Sequence, residues 1–213
     1  MNYLYHLIIY FEIYAIIALS LNLLIGYGGM MQIAHAAYYG IGAYTAALLW
    51  THFGIGFFPG LATAAITAAV LSLLVSLPSW RFHGDYFVMI SIAVQTLIYA
   101  VLYNWTELTN GSFGISGIQR PALFDYNFVT TASIALLYGG IALVLGGIVA
   151  LLKWSPFGRA MQAMRDDQLA ARSIGIPVNW LKLQAFAIAS AMVGIAGGLY
   201  AAYVSYIDPT SFS

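Results

Sequence analysis

The sequence predicts an all-α, polytopic integral membrane protein of about six transmembrane helices, and three observations carry that prediction. The chain is 62% hydrophobic and only 7% charged, with a mean hydropathy of +0.86, whereas an ordinary soluble domain is about 25% charged. Between Glu12 and Arg81 run 68 residues without an Asp, Glu, Lys or Arg, and shorter uncharged runs cover 86–106, 126–152 and 183–207. Each is long enough to cross a bilayer as a helix, for which about 20 apolar residues suffice. Glycine and proline clusters cut the long run into helix-sized pieces.

The first expected span is 4–25. Its leading residues lack a basic stretch and a small-residue cleavage site, so they read as a span and not as a removable signal. Gly26-Tyr27-Gly28-Gly29 ends it. The second, 34–50, is short and rich in glycine, with the composition of a broken or re-entrant segment that faces protein. Gly54 to Gly60 supplies the next turn, and spans over 59–79 and 86–105 follow, with Asp85 placed as the N-cap of the latter. The last two cover 128–152 and 181–206. One membrane domain, 1–213, accounts for the whole chain.

Cations near the span ends set the expected orientation. Arg81, Lys153, Arg159, Arg165, Arg172 and Lys182 fall on one side if every span crosses, and Arg120 is the exception. That side is expected to be cytoplasmic, with both termini and the 107–126 loop outside. The formal net charge of zero gives no sign of a nucleic-acid partner, and the lack of cysteine removes disulfides, thiolate metal sites and Cys nucleophiles. Four scattered histidines show no metal-ligand spacing, and no phosphate-binding G-x-x-x-x-G-K-[ST] loop occurs. The reading is therefore no enzyme, no cofactor and no metal.

Polar residues inside apolar spans are the candidates for a solute pathway. Asn22, Gln32 and His35 rank first because they flank the glycine-rich break, where irregular backbone lines cavities in transporters. Gln95 and Thr45 come next, and hydrogen bonding between helices is the competing role for all of them. Glu12, an acid within the first span, is the one candidate for ion coupling there. Gly194 and Gly198 form a small-xxx-small spacing that suits close helix packing.

The 155–176 stretch holds five of the chain's fourteen charges. As a helix over 159–174 it has no oppositely charged pair at i,i+3 or i,i+4, which leaves its charges to a partner or to lipid headgroups. Met161, Met164 and Ala171 share a face, Ala170 and Ala171 allow close approach, and Gly175 with Pro177 ends the helix. A short helix lying along the membrane fits, and a purely topogenic loop is the alternative.

The Ala170-Ala171-x-x-x-Gly175 pattern resembles the EAA loop by which ABC importer permeases dock on their ATPases, with Leu169 where an acid usually stands and Asp167 the nearest acid. More widely, the chain resembles the branched-chain amino acid permease family of ABC importers, in its larger-subunit type. The resemblance rests on ordered blocks: Ala18 to Gly29, His35 to Leu49, Gly84-Asp85-Tyr86-Phe87, Asn104-Trp105-Thr106, Phe157-Gly158-Arg159-Ala160-Met161, and Ala185-Phe186 through Ala201. Family members continue through further spans after the position of Ser213, so the chain reads as truncated there.

The resemblance implies a permease subunit in the cytoplasmic (inner) membrane of a bacterium or archaeon, carrying branched-chain or related amino acids. Implied partners are separate ABC ATPase subunits, a second permease subunit, an extracytoplasmic solute-binding protein and membrane lipid, with no nucleic acid. Arg159, Arg165, Asp167, Ala170, Ala171 and Gly175 are the expected ATPase-coupling residues. Permeases for urea or short amides, a stand-alone carrier or channel, and a non-transporting assembly fragment remain as alternatives.

Overall fold

A computed structural model of the chain describes residues 2–82, 84–118, 122–123, 126–127 and 130–212. Helix α1, Asn2–Leu21, runs on into a π-helical segment, Asn22–Tyr27. Then come α2 (His35–His52), α3 (Phe57–Leu71), α4 (Leu73–Ser76), a 3-10 turn (Pro78–Trp80) and α5 (Asp85–Asn104). After the short α6 (Thr106–Thr109) and strands β1 (Ile115–Ser116), β2 (Ala122–Leu123) and β3 (Tyr126–Asn127) comes α7 (Thr131–Trp154). Helices α8 (Pro156–Asp166) and α9 (Gln168–Ser173) fill the charged stretch, α10 (Val178–Val204) follows, and β4 (Tyr206–Ile207) and a 3-10 segment (Pro209–Phe212) close the described chain.

Among the described residues, five helices are long and apolar enough to span a membrane: Tyr3–Tyr27, Phe57–Ser76, Asp85–Asn104, Thr131–Trp154 and Val178–Val204. The remaining expected span, α2, is a continuous 18-residue helix. Protein surrounds most of it, which lets it carry histidine, tyrosine, threonine and glycine that lipid would disfavour. Helix α10 is the centre of the bundle, packed on α2, α3 and α1, while α7 leans on α1.

Glycines set the α10 contacts. A Cβ on Gly194 would lie 2.6 Å from the Ala64 carbonyl and 2.7 Å from the Ala68 Cβ, and one on Gly42 of α2 would overlap the Gly194 backbone. Gly198 sits similarly against Leu61 and Ala46. The missing side chains let three backbones approach, which maximises dispersion contact where lipid supplies no hydrophobic drive between helices. Tyr138 of α7 is fully buried and donates to the Leu199 carbonyl at 2.8 Å, joining α7 to α10.

The connections sort into two ends. At one, Arg165 Nη1 donates to the Gly26 carbonyl at 2.8 Å and Lys182 Nζ donates to the Ser79 carbonyl at 3.0 Å, so the 26–34 link, the 78–82 turn and the 155–176 stretch lie together. At the other, β1 pairs with β4, Ile115 opposite Ile207. The alternation is that of six helices running up and down between the two ends. Arg120, the cation expected on the far side, lies outside the described residues.

Three local expectations are corrected. Gly84, at φ +60°, takes the N-cap position of α5, and Asp85 is its first helical residue without a side-chain cap bond. A left-handed backbone at residue 84 excludes the ordinary carboxylate cap one residue later, although an acid in the first turn still suits the helix dipole. The 159–174 helix breaks at Asp167, whose extended backbone and side chain start α9 by accepting from Leu169 N at 2.8 Å and Ala170 N at 3.0 Å. Nor are the charges of this stretch free: Arg165 pairs with Asp166 at 3.0 Å, and Arg172 donates to Asn179 Oδ1 at 3.1 Å.

Candidate functional site

At the start of α2 the chain builds a buried polar relay. Ser20 Oγ donates to the Ile17 carbonyl at 2.7 Å. Its bond to His35 Nε2, 2.8 Å long, must then run from Nε2–H to the hydroxyl oxygen. Nδ1 is left as acceptor, and Gln32 Nε2 donates to it at 2.8 Å. The imidazole is thus the neutral Nε2–H tautomer held at both nitrogens. Gln32 Oε1 and the hydroxyl of Tyr38, whose ring meets His35 edge-on, are buried without a partner among the described residues.

Of the four expected pathway residues, the structure joins Gln32 and His35. Asn22 lies exposed on the π-helical segment with its side chain over Gly26, away from the relay. Gln95 spends both ends of its amide on backbone, accepting from Ala37 N at 2.6 Å and donating to the Phe212 carbonyl at 3.0 Å. Thr45 accepts from Thr67 at 3.1 Å between α2 and α3. Glu12 lies against Gly139 at the α1–α7 seam, with Oε2 unpartnered among the described residues. Ser20 escaped the sequence reading because a serine in a span carries no signal until the fold brings position 35 beside it.

His35→Leu should remove two buried hydrogen bonds and strand the Gln32 amide, at about 1–3 kcal/mol, while Ser20 keeps its bond to the Ile17 carbonyl. We expect loss of folded protein from His35→Leu and normal folding from Asn22→Leu, read as monodisperse yield in detergent. Equal yields would show that the relay contributes nothing to stability.

The second constellation is the α8–α9 stretch. Met161 and Met164 are fully buried in a cluster with Leu23, Leu24 and Phe186, so the apolar face of α8 packs on the chain's own core and not on lipid. Arg159 donates to the Trp154 carbonyl at 2.9 Å, and Arg165 closes the end of the π-helical segment. Ala171 is 2% exposed, on the face it was expected to share with Met161 and Met164, so it is part of the core and not an outward surface. Ala170 is exposed beside Leu169 and Ile174, each 76% exposed. Gly175 at φ +85° completes a Schellman turn, with Ile176 N on the Ala171 carbonyl at 3.1 Å and Gly175 N on the Arg172 carbonyl at 3.0 Å. Leu169 and Ile174 were missed because in an apolar chain another Leu and Ile give no contrast.

Among the described residues no group of three or more His, Cys, Asp or Glu could hold a metal ion.

Residues 3–213 match the family described as "Branched-chain amino acid transport system / permease component". The chain is 35% identical over 227 residues to the high-affinity branched-chain amino acid transport system permease protein LivM of Escherichia coli K12, covering 94% of this chain and 53% of that protein. A probable branched-chain amino acid transport permease protein LivM of Methanocaldococcus jannaschii is 29% identical, over 97% of this chain and 69% of that one. The E. coli LivH permease protein is 26% identical over 92% of this chain and 68% of its own length. The chain thus spans about half the length of the E. coli LivM protein. No solved structure matches it. With the helical bundle, its membrane-length apolar helices and a match from residue 3 to residue 213, the chain belongs to the branched-chain amino acid transport permease family of multi-pass membrane proteins.

Proposed function

We propose that the chain forms the transmembrane permease part of an ABC importer for branched-chain or related small amino acids. The family match along 3–213 is the observation that carries the reading. A second permease subunit completes the pathway, two separate ATPase subunits supply the energy, and a solute-binding protein delivers substrate from outside. The membrane is the cytoplasmic membrane of a bacterium or archaeon. The charged stretch faces the cytoplasm, since its side also carries Arg81 and Lys182.

In this reading α8 and α9 form the coupling segment. Arg159, Arg165 and Asp167 shape it, Gly175 ends it, and the outward Leu169, Ala170 and Ile174 meet the ATPase. Gln32 and His35 hold the inner end of α2 beside the route, and Gly194 and Gly198 keep the bundle closed around it. The whole of 1–213 acts as one membrane domain.

The test is uptake of radiolabelled leucine, with urea and acetamide as comparison solutes, by the full-length protein reconstituted with its ATPases, partner permease and binding protein. We expect leucine uptake that needs ATP and the binding protein. Uptake of urea alone, or leucine uptake without ATP, would overturn the reading. In whole cells an impermeant thiol reagent should label Ser112→Cys and spare Ser173→Cys; the opposite pattern would invert the orientation.

A further inference from the structure

At the cationic end a cavity of about 130 Å³ opens between the 26–34 link, the 78–82 turn, the first turn of α5 and the start of α10. Lys182 reaches it from α10. This side chain is only 2% exposed, and its ammonium donates to the Ser79 carbonyl at 3.0 Å. One carbonyl satisfies one of three N–H donors and none of the charge. Among the described residues the only carboxylate–cation pair is Arg165 with Asp166, so Lys182 has no counter-ion.

Asp85 lines the same cavity from the first turn of α5, also without an ion pair among the described residues and without capping its helix. A buried cation and an acid therefore face one space without touching. Met30, Phe87 and Val88 add apolar lining. A small zwitterion with an apolar side chain satisfies all three: its carboxylate meets Lys182, its ammonium meets Asp85, and its side chain meets Met30, Phe87 and Val88. A cavity of roughly 150 Å³ holds a benzene-sized molecule, so this smaller but open one has room for the apolar side chain of one amino acid and none for a peptide. Gln168, the first residue of α9, is also part of the lining.

We propose that this cavity binds a zwitterionic amino acid with an apolar side chain from the ATPase-facing side, and that its occupancy bears on the coupling segment through Gln168. The facing of the site rests on the importer reading above; the chemistry of the site does not. Such a site lets accumulated cargo act back on the machine that imports it.

The experiment is equilibrium binding of radiolabelled L-leucine to the complete transporter in nanodiscs, without solute-binding protein. We expect saturable binding, displaced by valine and not by leucinamide or 4-methylpentanoate, which lack the carboxylate or the ammonium. Asp85→Asn, an exposed position, and Val88→Trp, which fills the cavity, should each weaken binding by about tenfold or more, as expected for a lost charge-assisted bond. Lys182→Met should do the same, and the other two variants carry the test if it misfolds. In proteoliposomes, leucine on the ATPase side should slow binding-protein-stimulated ATP hydrolysis in the parent and not in Asp85→Asn. Unchanged binding in Asp85→Asn and Val88→Trp overturns the site. So does absence of binding by a transporter that imports leucine normally, which leaves the importer reading standing. If Asp85→Asn loses uptake with no leucine on the ATPase side, the cavity belongs to the transport route and the regulatory inference is wrong. Leucine binding by a complex that imports nothing would support the cavity and count against the importer.

Discussion

Gly194→Leu is expected to abolish the folded bundle. A Cβ there meets the Ala64 carbonyl at 2.6 Å and the Ala68 Cβ at 2.7 Å, while the Gly42 backbone packs on Gly194 from the other side. Overpacking a core usually costs about 1–3 kcal/mol because side chains can shift. Here the nearest obstacle is the α3 backbone at Ala64, which cannot shift without separating the helices, so the cost exceeds that range. Gly140→Leu on α7 is the control, since a Cβ at that position meets nothing within 4 Å. The comparison is monodisperse yield and protease resistance at equal membrane expression. A Gly194→Leu protein as well folded as Gly140→Leu would refute the three-backbone contact.

The second large effect concerns coupling. Leu169→Asp combined with Ile174→Asp should detach the ATPase from a normally folded permease, because both side chains are 76% exposed and contribute little to the bundle. Buried apolar anchors at protein interfaces are worth about 2 kcal/mol or more, so co-purification should fall by at least about thirtyfold. Arg172→Gln loses one exposed hydrogen bond to Asn179 and should leave co-purification nearly unchanged. Ala171→Glu is expected to fail earlier, in folding, since it places a carboxylate in the core. At Gly175 the φ of +85° allows asparagine far better than leucine, so Gly175→Asn should keep function where Gly175→Leu strains the turn. Should the double aspartate variant retain its ATPase while Arg172→Gln fails to insert, the segment is a topology signal and no docking surface.

The spans were legible because lipid imposes a composition that no other environment demands, and the breaks because glycine and proline end helices by local geometry. What escaped was phase and partnership. Asp167 reads as one more surface charge in the chain order, yet as an N-cap it breaks the helix and starts α9. Ser20 and His35 are 15 residues apart, and Lys182 and Ser79 are 103 apart. Such pairs exist only after the helices pack. Gln95 is the same case: as a polar residue in an apolar span it left a solute contact and a helix–helix bond both open, and its amide is spent on Ala37 and Phe212.

Helices α10 and α5 are anchored by different means. Along its most apolar stretch 72% of the α10 residues are buried in the chain, against only 17% for α5. Beyond Phe87 and Ile98, α5 is pinned at points: Ser91 to Ile33 N at 3.0 Å, and Gln95 to Ala37 N and the Phe212 carbonyl. Hydrogen bonds of this kind average about 0.6 kcal/mol between membrane helices. In mechanical terms α10 is the mast and α5 an outrigger on three pegs.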